Sequence, residues 1–309
     1  MSDIIEISIV GPVFNGRDTV SEFVKETRQE LLKYGKSFEI VLVDDGCQRG
    51  SWQVIEEECR KDSKIKGVRL SRNFGQQIAV SAGLFFARGS KVIVLDADLQ
   101  NPISAIPEIL EKLESGMDIV YTVSKIRNNW IDECTSGIFW FMVNGLLGAH
   151  MIPNQLMMKG FSRRFLSVYN EYHERVRVVA GISADIGMQS AVLEVKNDRR
   201  KSGGGNYSFF KRFNLMVDIV LAITSRPLNI LINISLVALF ASLGLGIYTI
   251  ITYLRYPDVP PGYATIITLI TFFGSMTLLV LGIIGRYLSN IYIEVRQRPL
   301  FILQEKINF

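Results

Sequence analysis

Lys91-Val-Ile-Val-Leu-Asp96-Ala-Asp98-Leu-Gln100 decides the fold: an unbroken aliphatic run that ends in two carboxylates and an amide. An apolar run of this length without polar alternation reads as a strand buried on both faces, the condition of a parallel sheet covered by helices. Similar runs occur at 7–10, 38–43, 66–70 and 118–121, with helical periodicity between them over 18–34, 51–62, 75–87 and 103–115. The alternation predicts an α/β domain with a mostly parallel, Rossmann-like sheet. Ligands of such sheets bind beyond the carboxyl ends of the strands. That rule singles out Gly11-Pro-Val-Phe-Asn15, Asp44-Asp45-Gly46 and Asp96-Ala-Asp98-Leu-Gln100.

No G-x-G-x-x-G opens the first helix and no G-x-x-x-x-G-K-[ST] occurs, so the usual dinucleotide and P-loop cradles are absent from the sequence. Asp96, Asp98 and Gln100 instead offer three hard oxygen donors at a strand end, a set suited to Mg²⁺ or Mn²⁺ shared with substrate phosphates. A divalent ion there neutralises charge growing on a departing diphosphate without moving a proton. His150 and His173 have no obvious nucleophile beside them and read as structural.

Net charge is +4 over 309 residues, too small to mark a nucleic-acid binder. Three cysteines without C-x-x-C spacing argue against a disulfide framework or a zinc knuckle. Only eight of the 64 charged side chains fall after residue 226. Pro227–Leu254 and Val259–Gly285 are 28 and 27 residues without a charge, each long enough to span a bilayer. Basic residues flank both outer ends, which predicts a hairpin with both termini cytoplasmic. No basic region precedes a long apolar stretch at the N-terminus, so no cleaved leader is expected. Before the hairpin, Phe209, Phe210, Phe213, Met216, Val217, Val220 and Leu221 recur at helical spacing, as in a helix lying in the membrane interface. The expected organisation is a catalytic domain over 1–206, an amphipathic helix over 207–226, a membrane region over 227–290 with spans near 228–253 and 264–287, and a cytoplasmic tail over 291–309.

In chain order, Val10-Gly-Pro-Val-Phe-Asn15, Val43-Asp-Asp-Gly46, Leu70-Ser-Arg-Asn-Phe-Gly75, Asp96-Ala-Asp-Leu-Gln-Asn-Pro102, Tyr207-Ser208 and the two-span tail resemble the polyprenyl-phosphate glycosyltransferases of glycosyltransferase family 2. That group includes dolichyl-phosphate mannose synthases and bacterial bactoprenol glucosyltransferases. The resemblance implies a GT-A fold and an inverting transfer of one sugar from a nucleotide-sugar, UDP-linked in preference to GDP-linked, to polyprenyl phosphate. It implies that Pro12, Phe14, Asn15, Asp44 or Asp45, and Asp96 bind the nucleotide-sugar, and that Asp96 and Asp98 are catalytic. Asp96, Asp98 and Gln100 would hold the metal, and Lys159, Ser162 and Arg200 the acceptor phosphate. It also implies an integral protein of the bacterial inner membrane with its catalytic domain cytoplasmic; two spans that need partners are consistent with a homo-oligomer.

The match has departures. Gly16 stands where an acidic residue is common, Cys47-Gln48-Arg49 replaces a Ser-Thr-Asp stretch, Gln76-Gln77 a charged pair, and Asn101 an aspartate. Lys159 stands for an arginine, keeping charge and losing the bidentate fork. Gly204-Gly205-Asn206 replaces a more polar element. An active transferase is the leading reading; the alternative is a weak or inactive paralogue that binds nucleotide-sugar as a scaffold.

Overall fold

The computed structural model describes residues 5–99, 101–124, 137, 144–145, 152–153, 155–175, 177–195, 226–255 and 262–309. Cα packing divides the chain into two units: Met1–Met142 with His150–Tyr207 and Arg298–Phe309, and Val143–Ala149 with Ser208–Gln297. The first unit begins β1 (Ile7–Val13), α1 (Val20–Tyr34), β2 (Phe38–Asp44), α2 (Ser51–Lys61), β3 (Ile65–Leu70), α3 (Gln76–Phe86) and β4 (Lys91–Val94). A 3₁₀ turn, α4 (Ile106–Glu114) and β5 (Ile119–Ser124) follow, then β6 (Gln155–Ser162), α5 (Arg163–Glu171), α6 (Val179–Ile186) and β7 (Ser190–Val195). The second unit contributes α7 (Arg226–Arg255) and α8 (Tyr263–Val295), and the chain returns to the first unit as β8 (Leu303–Ile307).

The eight strands form one sheet in the order β7-β5-β6-β4-β1-β2-β3-β8. β1 pairs in parallel with β2 and β4, β2 with β3, and β5 with β7, while β6 runs antiparallel to both β4 and β5. Both faces are covered, which is why β1 and β2 are buried at all seven positions. One core layer joins Phe23, Leu31, Trp52, Ile55 and Ile109 to one face; the other joins Val80, Leu84, Phe161, Phe165 and Tyr169 to the opposite face. In α4, Ile106, Ile109, Leu110 and Leu113 are buried at helical spacing. Such side chains contribute about 1.5–3 kcal/mol each. α3 lies so close to the sheet that a Cβ at Gly83 would come 2.3 Å from Val10 Cγ1.

At the end of the sheet away from the strand carboxyl ends, Glu39 and Lys66 form a buried ion pair, 1% and 6% exposed. Glu39 also accepts from the Ser8 hydroxyl and the Arg88 N–H, both at 2.6 Å. Buried charges need such partners to offset desolvation.

Within 291–309, expected as a cytoplasmic tail, the chain forms the end of α8 and the strand β8. α8 continues to Val295, and β8 pairs antiparallel with β3, where it satisfies an otherwise bare edge. Asn308 Nδ2 clasps it by donating to the Cys59 and Ile65 carbonyls at 2.7 and 2.8 Å, and Phe309 lies under the Lys66 ammonium. In the second unit, Phe272–Val295 is long and apolar enough to cross a membrane, with a mean hydropathy of 1.5. The amphipathic helix expected over 207–226 lies outside the described residues, apart from Arg226 at the start of α7.

Candidate active site

β1, β2 and β4 end side by side, and the loops that leave them close around a cleft of about 360 Å³. Pro12, Phe14, Gly16 and Thr19 line one side, Asp45, Asn73, Gly75 and Gln76 another, and Asp96 and Asp98 the floor. The sequence demands this convergence, because each apolar strand runs out into polar residues at the same end of the sheet.

Two non-glycine residues beside the cleft, Asn15 at φ 55° and Leu99 at φ 60°, adopt left-handed backbone. Such conformations persist where surrounding contacts enforce them and concentrate at functional sites. Asn15 Oδ1 accepts from the Cys47 thiol at 3.1 Å, and Ser51 and the Arg49 N–H also meet that sulfur. The departure from serine at position 47 therefore still anchors the first loop. Phe14 is 57% exposed, a free aromatic face at the mouth of the cleft.

The two aspartates after β2 play different parts. Asp45 Oδ1 and Oδ2 accept from the Phe74 and Gly75 N–H groups at 2.7 and 2.9 Å, fixing the turn that starts α3. Asp44 is fully buried and lies outside the cleft lining. Its nearest cation is Arg69, with Nε 3.7 Å from Oδ2, and the Cys47 N–H favours its charge from outside hydrogen-bond geometry. Burial pushes its carboxyl up to about 6. Directly after them, Gly46 at φ 63° passes so close to the backbone of Arg72 that a Cβ would lie 2.2 Å from its carbonyl carbon.

Asp96 Oδ1 accepts from Gln76 Nε2 at 2.8 Å, and Asn101 also hydrogen-bonds this carboxylate. Burial first, and the neighbouring Asp98 second, raise the Asp96 carboxyl to about 6. Two carboxylates facing one cleft, one of them already resisting ionisation, form a donor set that a divalent cation relieves. The residues therefore fit a metal; Gln100, expected as the third donor, lies outside the described residues, as does Arg200.

Lys159 and Ser162 separate. Lys159 pairs with Val94, two residues before Asp96, and is 4% exposed. Its Nζ donates to the Leu156 carbonyl at 2.9 Å; burial lowers its pKa to about 8 against the pull of Asp96. Ser162 instead pairs with Lys91, at the far end of β4. Its hydroxyl donates to Asp118 at 2.8 Å and accepts from the Phe165 N–H, capping α5. Ser162 thus caps α5 a strand's length from Asp96. Gln76, noted in the sequence only as a departure from the family pattern, is brought onto Asp96 by its place at the start of the helix that follows a strand end.

A model of the family described as "Glycosyl transferase family 2" matches residues 8–174. An uncharacterized glycosyltransferase of Synechocystis sp. is 29% identical over 303 residues, spanning 97% of this chain and 95% of that one. The undecaprenyl-phosphate 4-deoxy-4-formamido-L-arabinose transferase of Edwardsiella ictaluri is 32% identical over 308 residues, spanning 97% and 94%. The structure of glucosyl-3-phosphoglycerate synthase from Mycobacterium tuberculosis in complex with Mn²⁺ and UDP-glucose superposes with a TM-score of 0.51 at 15% identity, covering 72% of this chain and 79% of that one. The likeness is one of fold: the mostly parallel mixed sheet of the GT-A glycosyltransferases.

Proposed function

Because this chain belongs to glycosyl transferase family 2, we propose that it transfers one sugar from a nucleotide-sugar to the phosphate of a polyprenyl-phosphate lipid at the cytoplasmic face of a membrane. The donor is a UDP-sugar in preference to a GDP-sugar. The observation that carries the proposal is the meeting of Asp96 and Asp98 with the Pro12–Gly16 loop and Asp45 around one cleft at the strand ends. The near-full-length similarity to a transferase named for undecaprenyl phosphate supports the acceptor class.

In this reading Phe14 stacks on the nucleotide base, Asp45 holds the turn behind it, and Asp96 and Asp98 face the diphosphate and would hold Mg²⁺ or Mn²⁺ with Gln100. A divalent ion bound there supplies electrostatic relief to a leaving diphosphate. The acceptor phosphate, largely ionised near neutral pH, attacks the anomeric carbon as the bond to the diphosphate oxygen breaks, and one displacement inverts that carbon. No general base is required, so the protein's work is positioning and exclusion of water. Lys159, buried behind Asp96, contributes positive potential beneath the reacting phosphates, a shorter-range substitute for the arginine fork; Arg200 is the second candidate for the acceptor. Phe272–Val295, together with α7, would hold the enzyme at the membrane that its lipid substrate cannot leave.

Active-site departures that retain contacts favour catalysis over a scaffold: Cys47 still holds Asn15, and Gln76 and Asn101 still hold Asp96. Incubation of the detergent-solubilised chain with UDP- and GDP-sugars, Mg²⁺ or Mn²⁺ and undecaprenyl phosphate tests the proposal. Lipid-dependent release of nucleotide matched by sugar-lipid supports it; binding of donors without turnover rejects it.

A further inference from the structure

We propose that Gln76 is a positioning residue that aims the Asp96 carboxylate at a divalent cation, a role that rests on the metal reading given above. Three observations converge on it. The Gln76 amide donates to Asp96 Oδ1 at 2.8 Å, and its orientation is unambiguous because an ionised carboxylate only accepts. The turn that carries Gln76 is locked from behind by the two Asp45 hydrogen bonds to Phe74 and Gly75. Its neighbour is anchored on the other side: Gln77 Oε1 accepts from the Val179 N–H at 3.2 Å, and Nε2 lies 3.6 Å from Met157 Sδ. The first turn of α3 is thus a fixed platform with one free-reaching amide, and that amide reaches Asp96.

The chemistry of the side chain matters as much as its reach. A carboxylate has about four lone-pair positions, so the Gln76 bond, even with that from Asn101, orients it and leaves room for a cation. A lysine at this position would make the same contact and bring a positive charge that competes with the ion. A neutral donor avoids that competition, which gives the replacement of a charged pair by Gln76-Gln77 a functional sense. Hydrogen-bond partners behind a metal ligand typically matter 10- to 100-fold in metal affinity.

The test measures Mn²⁺ binding to the detergent-solubilised full chain in the presence of UDP, by calorimetry and by the electron paramagnetic resonance of free Mn²⁺, with apparent Tm recorded alongside. Gln76→Leu keeps the bulk and removes the donor; it is expected to weaken Mn²⁺ binding about tenfold or more with Tm unchanged. Gln76→Lys is expected to weaken it similarly, and Gln76→His, a neutral donor, to restore most of it. Mn²⁺ affinity in Gln76→Leu equal to or tighter than wild type overturns the inference, as does equal weakening by Leu and His. Asp98→Asn is the separate control: if it binds Mn²⁺ as wild type does, the metal reading itself falls, whereas loss of binding there with none in Gln76→Leu removes only the role of Gln76.

Discussion

Asp44→Asn should make the protein more stable above about pH 6. Asp44 is fully buried, and its carboxyl is raised from 3.8 to about 6 chiefly by desolvation. The native state therefore binds more protons than the unfolded chain between those values, so stability declines as pH rises through that window and stays lower above it. The gap corresponds to about 3 kcal/mol at neutral pH. That shift is already net of the relief from Arg69, whose Nε lies 3.7 Å from Oδ2 on a side chain 27% exposed. Replacing the carboxylate by a neutral amide of the same shape should thus gain about 1–3 kcal/mol at pH 8, and the gain should shrink towards pH 5. Urea denaturation of the wild type and the variant from pH 5 to pH 8 reads this directly. A gain that does not change with pH, or a loss of stability at pH 8, refutes the reasoning. A donor affinity unchanged in the stabilised variant would show that the strained carboxylate serves no ligand.

Asp98→Asn should reduce divalent-dependent sugar transfer by at least 100-fold while the circular dichroism spectrum and Tm stay as in the wild type; turnover within threefold of wild type removes Asp98 from the site. Lys66→Met should destabilise the fold by about 3–5 kcal/mol, because it leaves Glu39 charged at 1% exposure without its cation. Adding Glu39→Gln should recover a large part of that loss, and denaturant midpoints of the single and double variants decide it. Phe14→Ala should raise the KM for the nucleotide-sugar about 5- to 30-fold, as expected for the loss of 1–2 kcal/mol of base stacking, with kcat within twofold. Its exposure of 57% predicts a Tm change under 2 °C.

β1, β2 and β4 were legible because strands buried on both faces are largely apolar, and β3 and β5 because their β-branched residues recur between helical patterns at the same spacing. β6 was not: Gln155-Leu-Met-Met-Lys-Gly-Phe-Ser162 lies outside the regular strand–helix alternation that revealed β1 to β5, and its two antiparallel neighbours hold it in place. β8 is more polar still, Leu303-Gln-Glu-Lys-Ile307, and is stabilised by an edge laid down more than 230 residues earlier. The strand-end rule pointed to Pro12, Phe14, Asp45, Asp96 and Asp98, which line one cleft because their positions follow from topology. It could not separate Lys159 from Ser162, because a motif gives order along the chain and not which end of a strand each residue occupies. Gln76 stood out in the sequence only as a departure, for a different reason: an uncharged amide acquires its meaning from the carboxylate it meets.

The pairing of β8 with β3 also sets an order of events during synthesis. β3 leaves the ribosome long before α7 and α8, and its outer edge stays bare until both helices have been made. Closing that contact joins segments separated by some 230 residues, a slow step because the entropy of so long a loop must be overcome first. Each newly made chain therefore passes through an interval with one open sheet edge, the state most prone to pairing with a stranger. The polar, charged composition of β8 suits a segment that must stay soluble while it waits, and the Asn308 clasp marks the moment at which the nascent protein ceases to be adhesive.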